Sequence, residues 1–242
     1  MSPWLIVKLV SSKVVSENVK SLIFEVPEWP GHKAGQYCDI RLTSDTGYQA
    51  QRSYSIASTP VLGSKFVEFG VKLFDNGEVS PYLWNLAPGD KIEIKGPLGG
   101  HFIWSTDMPG PLVLIAGGSG IVPLISMLRE YVRYSKNTER EVVLLVSAFS
   151  REKIPYYTEL EKYKRNFPNI KILYTLTKDT PADWTGFARR VDKAMLAEIT
   201  SGLLDKMPIT YVCGPTGFVE AVANTLVEIG FNPHSIKTER FG

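Results

Sequence analysis

Short segments with alternating apolar and polar residues fill the first part of the chain, from residue 4 to about residue 104. A period of two is typical of half-buried β-strands, and turn residues such as Pro30-Gly31 and Pro88-Gly89-Asp90 separate the segments. A single short helical pattern lies near 80–86. The pattern predicts a small antiparallel barrel of six strands, at 5–10, 19–26, 37–42, 52–57, 65–72 and 91–95.

A different pattern begins after Met108-Pro109-Gly110-Pro111, where continuous apolar segments alternate with segments of helical period. Such strands, separated by helices, are typical of a parallel, doubly wound sheet, which binds its ligands at the carboxyl ends of its strands. The sequence therefore predicts two domains, a β-barrel over 1–108 and an α/β domain over 109–242. In the second domain we expect strands at 112–116, 142–146, 170–174 and 209–213, and helices at 122–134, 156–166, 193–200 and 218–229.

The composition fits a soluble protein of this size. A chain of 242 residues, 44% hydrophobic and 21% charged, is long enough for two modest cores. Its formal net charge is only +2, which gives no general case for nucleic acid or an anionic membrane as a partner. The N-terminus lacks a signal-peptide pattern, and no apolar run reaches the roughly 20 residues that span a bilayer. By default we expect a cytoplasmic protein.

Metal-binding patterns are absent from the sequence. The chain has two cysteines, Cys38 and Cys213, whereas a plant-type iron–sulfur cluster needs four that are closely spaced. Its three histidines, His32, His101 and His234, are scattered without the spacing of metal ligands. We therefore expect no metal site and no iron–sulfur cluster in this chain.

The segment around Arg52-Ser53-Tyr54-Ser55 alternates in an unusual way. In a strand, Arg52 and Tyr54 lie on one face while Ser53 and Ser55 lie on the other. The first face suits a flat, charged ligand. An ordinary barrel strand with a solvated arginine explains the same residues, and this segment alone favours that simpler interpretation.

Two glycine-containing loops follow predicted strands of the second domain. The loop Gly117-Gly118-Ser119-Gly120 leads into a helix, and glycines with a helix N-terminus suit a diphosphate. Pro123 stands where the Rossmann fingerprint has its third glycine, so a simple packing turn remains the alternative. The second loop, Cys213-Gly214-Pro215, offers an accessible flat surface for a planar ring, although a free cysteine is often only a small buried hydrophobic residue.

Five motifs follow one another along the chain. They are Arg52-Ser53-Tyr54-Ser55, Gly96-Pro97-Leu98-Gly99-Gly100-His101-Phe102, Gly117-Gly118-Ser119-Gly120-Ile121-Val122-Pro123, Cys213-Gly214-Pro215 and Glu239-Arg240-Phe241-Gly242. In this order they resemble the motifs of the ferredoxin-NADP reductase family, and together they cover the chain from about residue 4 to 242. The chain is most similar to stand-alone modules of that family, which look like oxygenase reductases without their iron–sulfur domain. The resemblance implies a barrel that holds FAD, or FMN as in some branches, and a second domain that binds NAD(P)H.

For the flavin, the resemblance implies that Arg52 pairs with the phosphates, that Tyr54 stacks on the isoalloxazine, and that Ser55 lies near N5. The run 71–80 resembles the family's second flavin-binding segment. Ser80 before Pro81 is predicted to cap a helix whose free N–H groups take the pyrophosphate, a plain helix cap being the alternative. The candidate flavin-binding residues are Arg52, Ser53, Tyr54, Ser55, Val71, Lys72, Leu73, Gly77, Val79, Ser80 and Phe241, of which Lys72 is alternatively solvated and Phe241 alternatively seals the barrel.

For the nicotinamide nucleotide, the resemblance implies that the first glycine loop cradles it and that the second guides its ring. Ser55, Cys213 and Glu239 then resemble the residues that line the family's hydride-transfer site, although Glu239 is alternatively paired with Arg240. The candidate residues of the two loops are Gly117, Gly118, Gly120, Val122, Pro123, Cys213, Gly214 and Pro215.

Basic residues after the third predicted strand bear on the nucleotide preference. Thr177, Lys178, Arg189 and Arg190 fall where family members that prefer NADPH keep groups for its 2′-phosphate, and both lysine and arginine supply charge there. Two departures weaken this inference, since Val122 stands where threonine is usual and Phe149 where many relatives carry arginine. We predict NADPH, with NADH as the alternative.

The resemblance implies an FAD-dependent NAD(P)H oxidoreductase of the ferredoxin-NAD(P) reductase type. It passes hydride from NADPH or NADH to flavin, and then electrons to a separate acceptor such as a ferredoxin-like protein or an oxygenase component. The cofactors carry this chemistry, while the protein supplies distance and orientation. The alternatives are an NAD(P)H:flavin reductase, which uses free flavin as a substrate, and a non-catalytic electron-transfer or regulatory subunit.

Overall fold

The computed structural model describes residues 3–134 and 140–241, and these form two compact units. The first unit contains the chain up to Ser105 together with Ile125–Tyr134, and the second contains Thr106–Leu124 and the described residues from 140 onward. The first is built on an antiparallel sheet and the second on a parallel sheet with helices, so the predicted fold class is confirmed. The assignment of Ile125–Tyr134 to the first unit was not indicated by the sequence.

Six antiparallel strands form the first unit, in the order β4-β3-β6-β1-β2-β5. The chain just after β4 meets β5, through a bridge between Ile56 and Phe69 and a 2.7 Å hydrogen bond from the Ala57 N–H to the Glu68 carbonyl. Because β4 and β5 are the two ends of the sheet, this contact closes the barrel. The strands are β1 (Leu5–Ser16), β2 (Val19–Glu25), β3 (Tyr37–Thr43), β4 (Gln49–Ser55), β5 (Phe66–Lys72) and β6 (Lys91–Leu98), and one helix, α1 (Ser80–Asn85), follows β5.

Alternation predicted these strands well because alternate side chains fill the barrel. Leu22 and Phe24 of β2, Ile40 of β3 and Phe69 of β5 are fully buried. Some bounds differ: β4 covers Gln49–Ser55 where 52–57 was predicted, and β1 continues to Ser16 although its pattern predicted an end at Val10. The second half of β1 pairs with β2 but buries no side chain, so it carries no apolar alternation.

Five parallel strands form the sheet of the second unit, in the order β11-β10-β7-β8-β9. Counted within this unit the order is 3-2-1-4-5, that of a doubly wound sheet, and it reverses between β7 and β10. Ligands of such sheets bind beyond the carboxyl ends of the strands at that reversal. The elements from β7 onward are β7 (Leu112–Gly117), α2 (Ile121–Tyr134), β8 (Val142–Ala148), α3 (Tyr157–Asn166), β9 (Ile170–Leu176), α4 (Lys193–Ile199), β10 (Ile209–Pro215), α5 (Thr216–Glu228) and β11 (Ile236–Phe241), and of α2 only the part up to Leu124 belongs to this unit.

The strand β11 was not predicted from the sequence. It lies at one edge of the sheet, and none of its residues is fully buried. An edge strand of this kind has an apolar residue only at each end, Ile236 and Phe241, so it lacks the continuous apolar run that marks the central strands. Its register with β10 places Glu239 directly opposite Cys213.

A search of the described helices found none with enough length and apolar character to cross a lipid bilayer.

Candidate functional site

In the first unit, β4 presents Arg52 and Tyr54 on one face, as the alternation predicted. The Arg52 side chain is 60% exposed, so its guanidinium is accessible to an anion. Tyr54 packs against the barrel core, and burial raises the pKa of its hydroxyl to about 12 despite the nearby Arg52 charge. The strand thus combines an accessible cation with a fixed, neutral aromatic ring.

The other face of β4 carries the two predicted serines. The Ser53 hydroxyl donates a 2.6 Å hydrogen bond to Asp39 Oδ1 on β3, which ties the two strands together. Ser55 is the last residue of β4, lies opposite Tyr37 and is half-buried. Ser53 therefore has a structural partner within the barrel, and Ser55 marks the end of the strand.

Two residues that the sequence did not single out surround Arg52. Glu78 Oε2 lies 3.5 Å from one Arg52 guanidinium nitrogen, and the Tyr48 hydroxyl donates a 2.7 Å hydrogen bond to Glu78 Oε1. A second guanidinium nitrogen of Arg52 donates to the Gln51 carbonyl at 2.6 Å. Tyr48 and Glu78 are 30 residues apart, and the only signal in the sequence is that Tyr48 precedes the first predicted flavin-binding segment and Glu78 lies within the second, 71–80.

The predicted run 71–80 forms the end of β5 and a tight turn into α1. Val71 and Val79 are buried in the barrel core. Lys72 Nζ lies 4.9 Å from the centre of the Phe74 ring, and the Leu73 N–H donates to the Asn18 carbonyl at 2.9 Å. A Cβ on Gly77 would lie 3.1 Å from the Phe74 carbonyl oxygen, so the turn leaves little room for a larger residue there.

The prediction that Ser80 caps α1 is wrong. The cap position is Val79, which makes no side-chain capping bond, and Ser80 is the first helical residue. The Ser80 hydroxyl instead accepts a 3.1 Å hydrogen bond from the Phe74 N–H and faces the Phe74 carbonyl at 3.4 Å. The turn at 74–77 brings the Phe74 backbone to the Ser80 hydroxyl. The hydroxyl therefore bonds to Phe74 and not to the free N–H groups of α1.

A polar network holds the segment that follows β4. Arg129 of α2 donates 2.8 Å and 2.7 Å hydrogen bonds to the Ala57 carbonyl and to Glu68 Oε2, and the Ser126 hydroxyl donates to the Ser58 carbonyl at 2.7 Å. The Arg129 and Glu68 side chains are only 15% and 12% exposed. Sequence reasoning missed this network because it joins residues about 60 to 70 positions apart. It fixes the backbone at the end of the strand that carries Arg52 and Tyr54.

In the second unit, the two predicted glycine loops meet at the reversal of strand order. A Cβ on Gly120 would lie 2.1 Å from the Cys213 carbonyl oxygen, and one on Gly214 would lie 3.1 Å from Gly117 Cα. The end of β7 and the turn after it therefore pack backbone against backbone on the end of β10, which only glycine permits. Gly118 differs, because its φ is +56° and an added Cβ would meet open space. Close packing thus explains Gly117, Gly120 and Gly214, and only Gly118 leaves room at the turn.

Val122 and Pro123 lie in the first turn of α2 and are both buried. Their side chains shape the start of the helix within the protein interior. The exposed part of the loop is its backbone at Gly118 and Ser119, which are half-buried and form a single 3₁₀ turn before α2.

The structure brings Cys213 and Glu239 together on adjacent strands. Cys213 is 1% exposed, and burial, followed by the nearby Glu239 charge, raises the pKa of its thiol well above the ordinary value. The thiol is therefore protonated at neutral pH and is a poor nucleophile. Glu239 and Phe241 are both half-buried, and Phe241 pairs with Pro215 in the same ladder.

The four predicted 2′-phosphate residues lie around the carboxyl end of β9. The Lys178 N–H donates to the Phe149 carbonyl at 3.1 Å, and Lys178 Nζ lies 4.9 Å from the Phe149 ring. Thr177 is similarly bound to the Ala148 carbonyl. The Thr175 hydroxyl donates to the Arg189 carbonyl, which brings the 189–190 segment to the same end of the strand.

Arg189 and Arg190 have different surroundings. Arg189 Nε donates a 2.6 Å hydrogen bond to Asp192 Oδ2, while Asp192 Oδ1 accepts from the Met195 N–H and caps α4. The hydrogen bond from Arg189 is also the main cause that lowers the pKa of the Asp192 carboxyl. Arg189, Arg190 and Lys178 are all exposed, but Arg189 carries this ion pair, so Lys178 and Arg190 are the better candidates for an incoming phosphate.

A cleft of about 510 Å³ that was not predicted runs along β9 and α3. Tyr157, Glu161 and Lys164 contribute at helical spacing, and none of the predicted nucleotide-binding residues lines it. Its polar groups are largely paired with each other, as in the 2.9 Å bond from the Tyr174 hydroxyl to Glu161 and the 3.0 Å Arg151–Asp183 ion pair. Within residues 3–134 and 140–241, no group of three His, Cys, Asp or Glu side chains is placed to hold a metal ion.

Comparison with known proteins finds a matching family for each of the two units. Residues 6–103 match the oxidoreductase FAD-binding domain, and residues 114–224 match the oxidoreductase NAD-binding domain. The chain belongs to the family of oxidoreductases built from these two domains. The predicted resemblance to the ferredoxin-NADP reductase family is thereby confirmed, as are the FAD-binding and NAD(P)-binding domains that it implied.

Individual members of the family are distant in sequence but close in fold. The chain is 24% identical over 249 residues to NADH-cytochrome b5 reductase 2 of Neurospora crassa, covering 96% of this chain and 72% of that protein. A ferredoxin NADP+ reductase from Neisseria gonorrhoeae with bound FAD and NADP superposes with a TM-score of 0.81 at 20% identity over 99% of both chains. The ferredoxin reductase of carbazole 1,9a-dioxygenase gives a TM-score of 0.82 at 21% identity, covering 99% of this chain and 70% of that one.

Proposed function

We propose that this oxidoreductase binds FAD, takes hydride from NAD(P)H and delivers electrons to a separate redox protein. The observation that carries the proposal is that one chain matches an FAD-binding and an NAD-binding domain in succession. Each unit also contains a candidate site of suitable chemistry.

The residues of β4 fit a flavin nucleotide. The exposed Arg52 guanidinium is planar and suits a phosphate, and the neutral Tyr54 ring, fixed against the core, offers a flat apolar surface beside it. We propose that Arg52 holds the phosphates, that Tyr54 stacks on the isoalloxazine and that Ser55 lies near its reactive edge. The run 71–80 completes the site through its backbone, since Val71, Val79 and Ser80 are buried.

The second unit fits a pyridine nucleotide. The reversal of strand order between β7 and β10 places the open turn at Gly118 where doubly wound sheets bind nucleotides. We propose that the backbone of this turn receives the diphosphate and that Cys213 and Glu239 border the nicotinamide. A bound flavin supplies the redox chemistry, because it accepts a hydride and releases electrons singly. Cys213 contributes a small neutral surface, since its thiol stays protonated, and no residue acts as a nucleophile.

The acceptor is proposed to be a protein with a one-electron centre. The relatives support this choice, since their names refer to cytochrome b5, to ferredoxin and to a dioxygenase system. A ferredoxin-like protein or an oxygenase component is the acceptor that we propose. The second candidate function is a flavin reductase with exchangeable flavin, which is favoured by the high exposure of Arg52.

An absorption spectrum of the purified protein tests the proposal. We expect the visible bands of bound flavin, and loss of the longer-wavelength band when NADPH or NADH is added without oxygen. Flavin that stays bound but is not bleached by either nucleotide would favour the non-catalytic subunit. Flavin that is lost on gel filtration but reduced in solution would favour the flavin reductase. A protein that takes up no added FAD contradicts all of these functions.

Removal of the two accessible basic groups at β9 tests the nucleotide preference. In the double variant Lys178→Ala/Arg190→Ala, we expect KM for NADPH to rise by about tenfold while KM for NADH hardly changes, because only NADPH carries the 2′-phosphate. Steady-state kinetics with both nucleotides give the measurement. The control is Lys162→Ala/Arg165→Ala, which removes the same charge from exposed positions on α3. Equal changes for the two nucleotides would remove the 2′-phosphate assignment and leave NADH, the nucleotide in the names of the cytochrome b5 reductases, as the favoured donor.

A further inference from the structure

A carboxylate stands beside the cation that is proposed to bind the flavin phosphates. Glu78 Oε2 lies 3.5 Å from Arg52, and the other Glu78 oxygen accepts the 2.7 Å hydrogen bond from the Tyr48 hydroxyl. That hydrogen bond is the main cause that raises the pKa of Tyr48, so the hydroxyl keeps its proton and remains a donor. Tyr48 therefore holds the carboxylate at Arg52 without neutralising it.

The geometry of this pair differs from that of a structural ion pair in the same barrel. Arg41 and Glu93 form a bidentate pair at 2.6 Å and 3.0 Å, and their side chains are 21% and 30% exposed. Arg52 and Glu78 make one long contact, and their side chains are 60% and 52% exposed. A solvated contact of this kind contributes little to folding stability. An incoming phosphate therefore displaces Glu78 from Arg52 at little structural cost.

Glu78 also opposes the phosphate after displacement. Its hydrogen bond to Tyr48 keeps its negative charge near Arg52, where like charges repel. We propose that Glu78, positioned by Tyr48, competes with the flavin phosphates for Arg52 and so weakens flavin binding. This inference rests on the proposed function, and it makes the Tyr48–Glu78 pair a determinant of the affinity for flavin.

Flavin titrations of the full chain, freed of flavin, test this inference. For Glu78→Gln we expect the dissociation constant for FAD to fall by about two- to fivefold, since an exposed charge pair of this kind has a modest energy. For Tyr48→Phe we expect a smaller decrease, because Glu78 loses its anchor but keeps its charge. The measurement is the change in flavin fluorescence on binding. The control Glu28→Gln removes one negative charge from an exposed position in the same unit and should leave the constant unchanged.

Riboflavin provides the second arm, because it has the ring of FAD but no phosphate. We expect Glu78→Gln to leave riboflavin binding unchanged. If wild-type protein binds FAD while Glu78→Gln leaves FAD binding unchanged or weakens it, the inference is overturned and the proposed function stands. Equal tightening for FAD and riboflavin would also overturn it, because the effect would not pass through the phosphates. Failure of the wild-type protein to bind FAD overturns the proposed function, and the inference with it.

Discussion

Replacing Arg52 by Ala is expected to weaken FAD binding by about 30-fold and to leave the free energy of unfolding almost unchanged. The first effect follows from the loss of a charge-assisted, planar contact with the phosphates. The second follows from exposure, since the Arg52 side chain is 60% exposed and its contacts within the protein are to one carbonyl and to the solvated Glu78. Flavin titration and urea unfolding measure the two quantities on the same preparation.

The variant Arg52→Lys separates charge from shape. Lysine keeps the positive charge but binds phosphate only as a point charge, so we expect FAD binding between that of the wild type and that of Arg52→Ala. Lys13→Ala, an exposed position on β1, is the control for the loss of one positive charge from the same unit. Unchanged flavin binding in Arg52→Ala would show that the phosphates lie elsewhere. A large loss of stability would show that Arg52 has a structural role instead.

The hydrophobic pattern predicted the elements that bury a face. The central strands β7 and β8 are fully buried and read as continuous apolar runs, and barrel strands such as β2 alternate. The pattern failed where burial is partial, in the second half of β1 and in the edge strand β11. Those residues contact solvent, so they form strands because of backbone pairing with a neighbour. Such pairing leaves no apolar pattern in the sequence.

The sequence predicted some residues of the candidate site and missed others. Arg52 and Tyr54 were found because both lie within one strand, whose alternation fixes their common face. Tyr48 and Glu78 were missed because they meet Arg52 only after the hairpin between β3 and β4 and the turn after β5 have formed. The pairing of Cys213 with Glu239 came from the family resemblance, since the parallel register that joins them depends on β11.

The glycines of the second unit were predicted for one reason and are required for another. Sequence reasoning assigned Gly117, Gly120 and Gly214 to close contact with a nucleotide. In the structure Gly120 and Gly214 allow the turn after β7 to touch the end of β10 at the reversal of strand order, and Gly117 leaves room for the Phe218 ring. Any nucleotide that binds there depends on the contact, so packing and function place the same demand on these positions.

Replacing Gly120 by Ala is expected to destabilise the second unit by about 3 kcal/mol, because overpacking against fixed atoms has costs of this order. The new Cβ would lie 2.1 Å from the Cys213 carbonyl oxygen and 2.8 Å from the Gly214 nitrogen. Both are backbone atoms, so no side chain can rotate away and the turn that carries Gly120 must move away from β10. The control is Gly217→Ala in α5, where an added Cβ meets nothing within 4 Å and helix propensity favours alanine.

Urea unfolding, monitored by circular dichroism, gives the free energy of unfolding of both variants. Flavin titration at low urea shows whether the barrel is still folded. We expect Gly120→Ala to bind FAD like the wild type but to lose reduction by NADPH and NADH together, because the damage is confined to the loop contact in the second unit. Wild-type stability in Gly120→Ala would mean that the loops do not touch as described. Equal loss of stability in Gly217→Ala would mean that the effect comes from replacing any glycine of this unit, and not from the contact between Gly120 and Cys213.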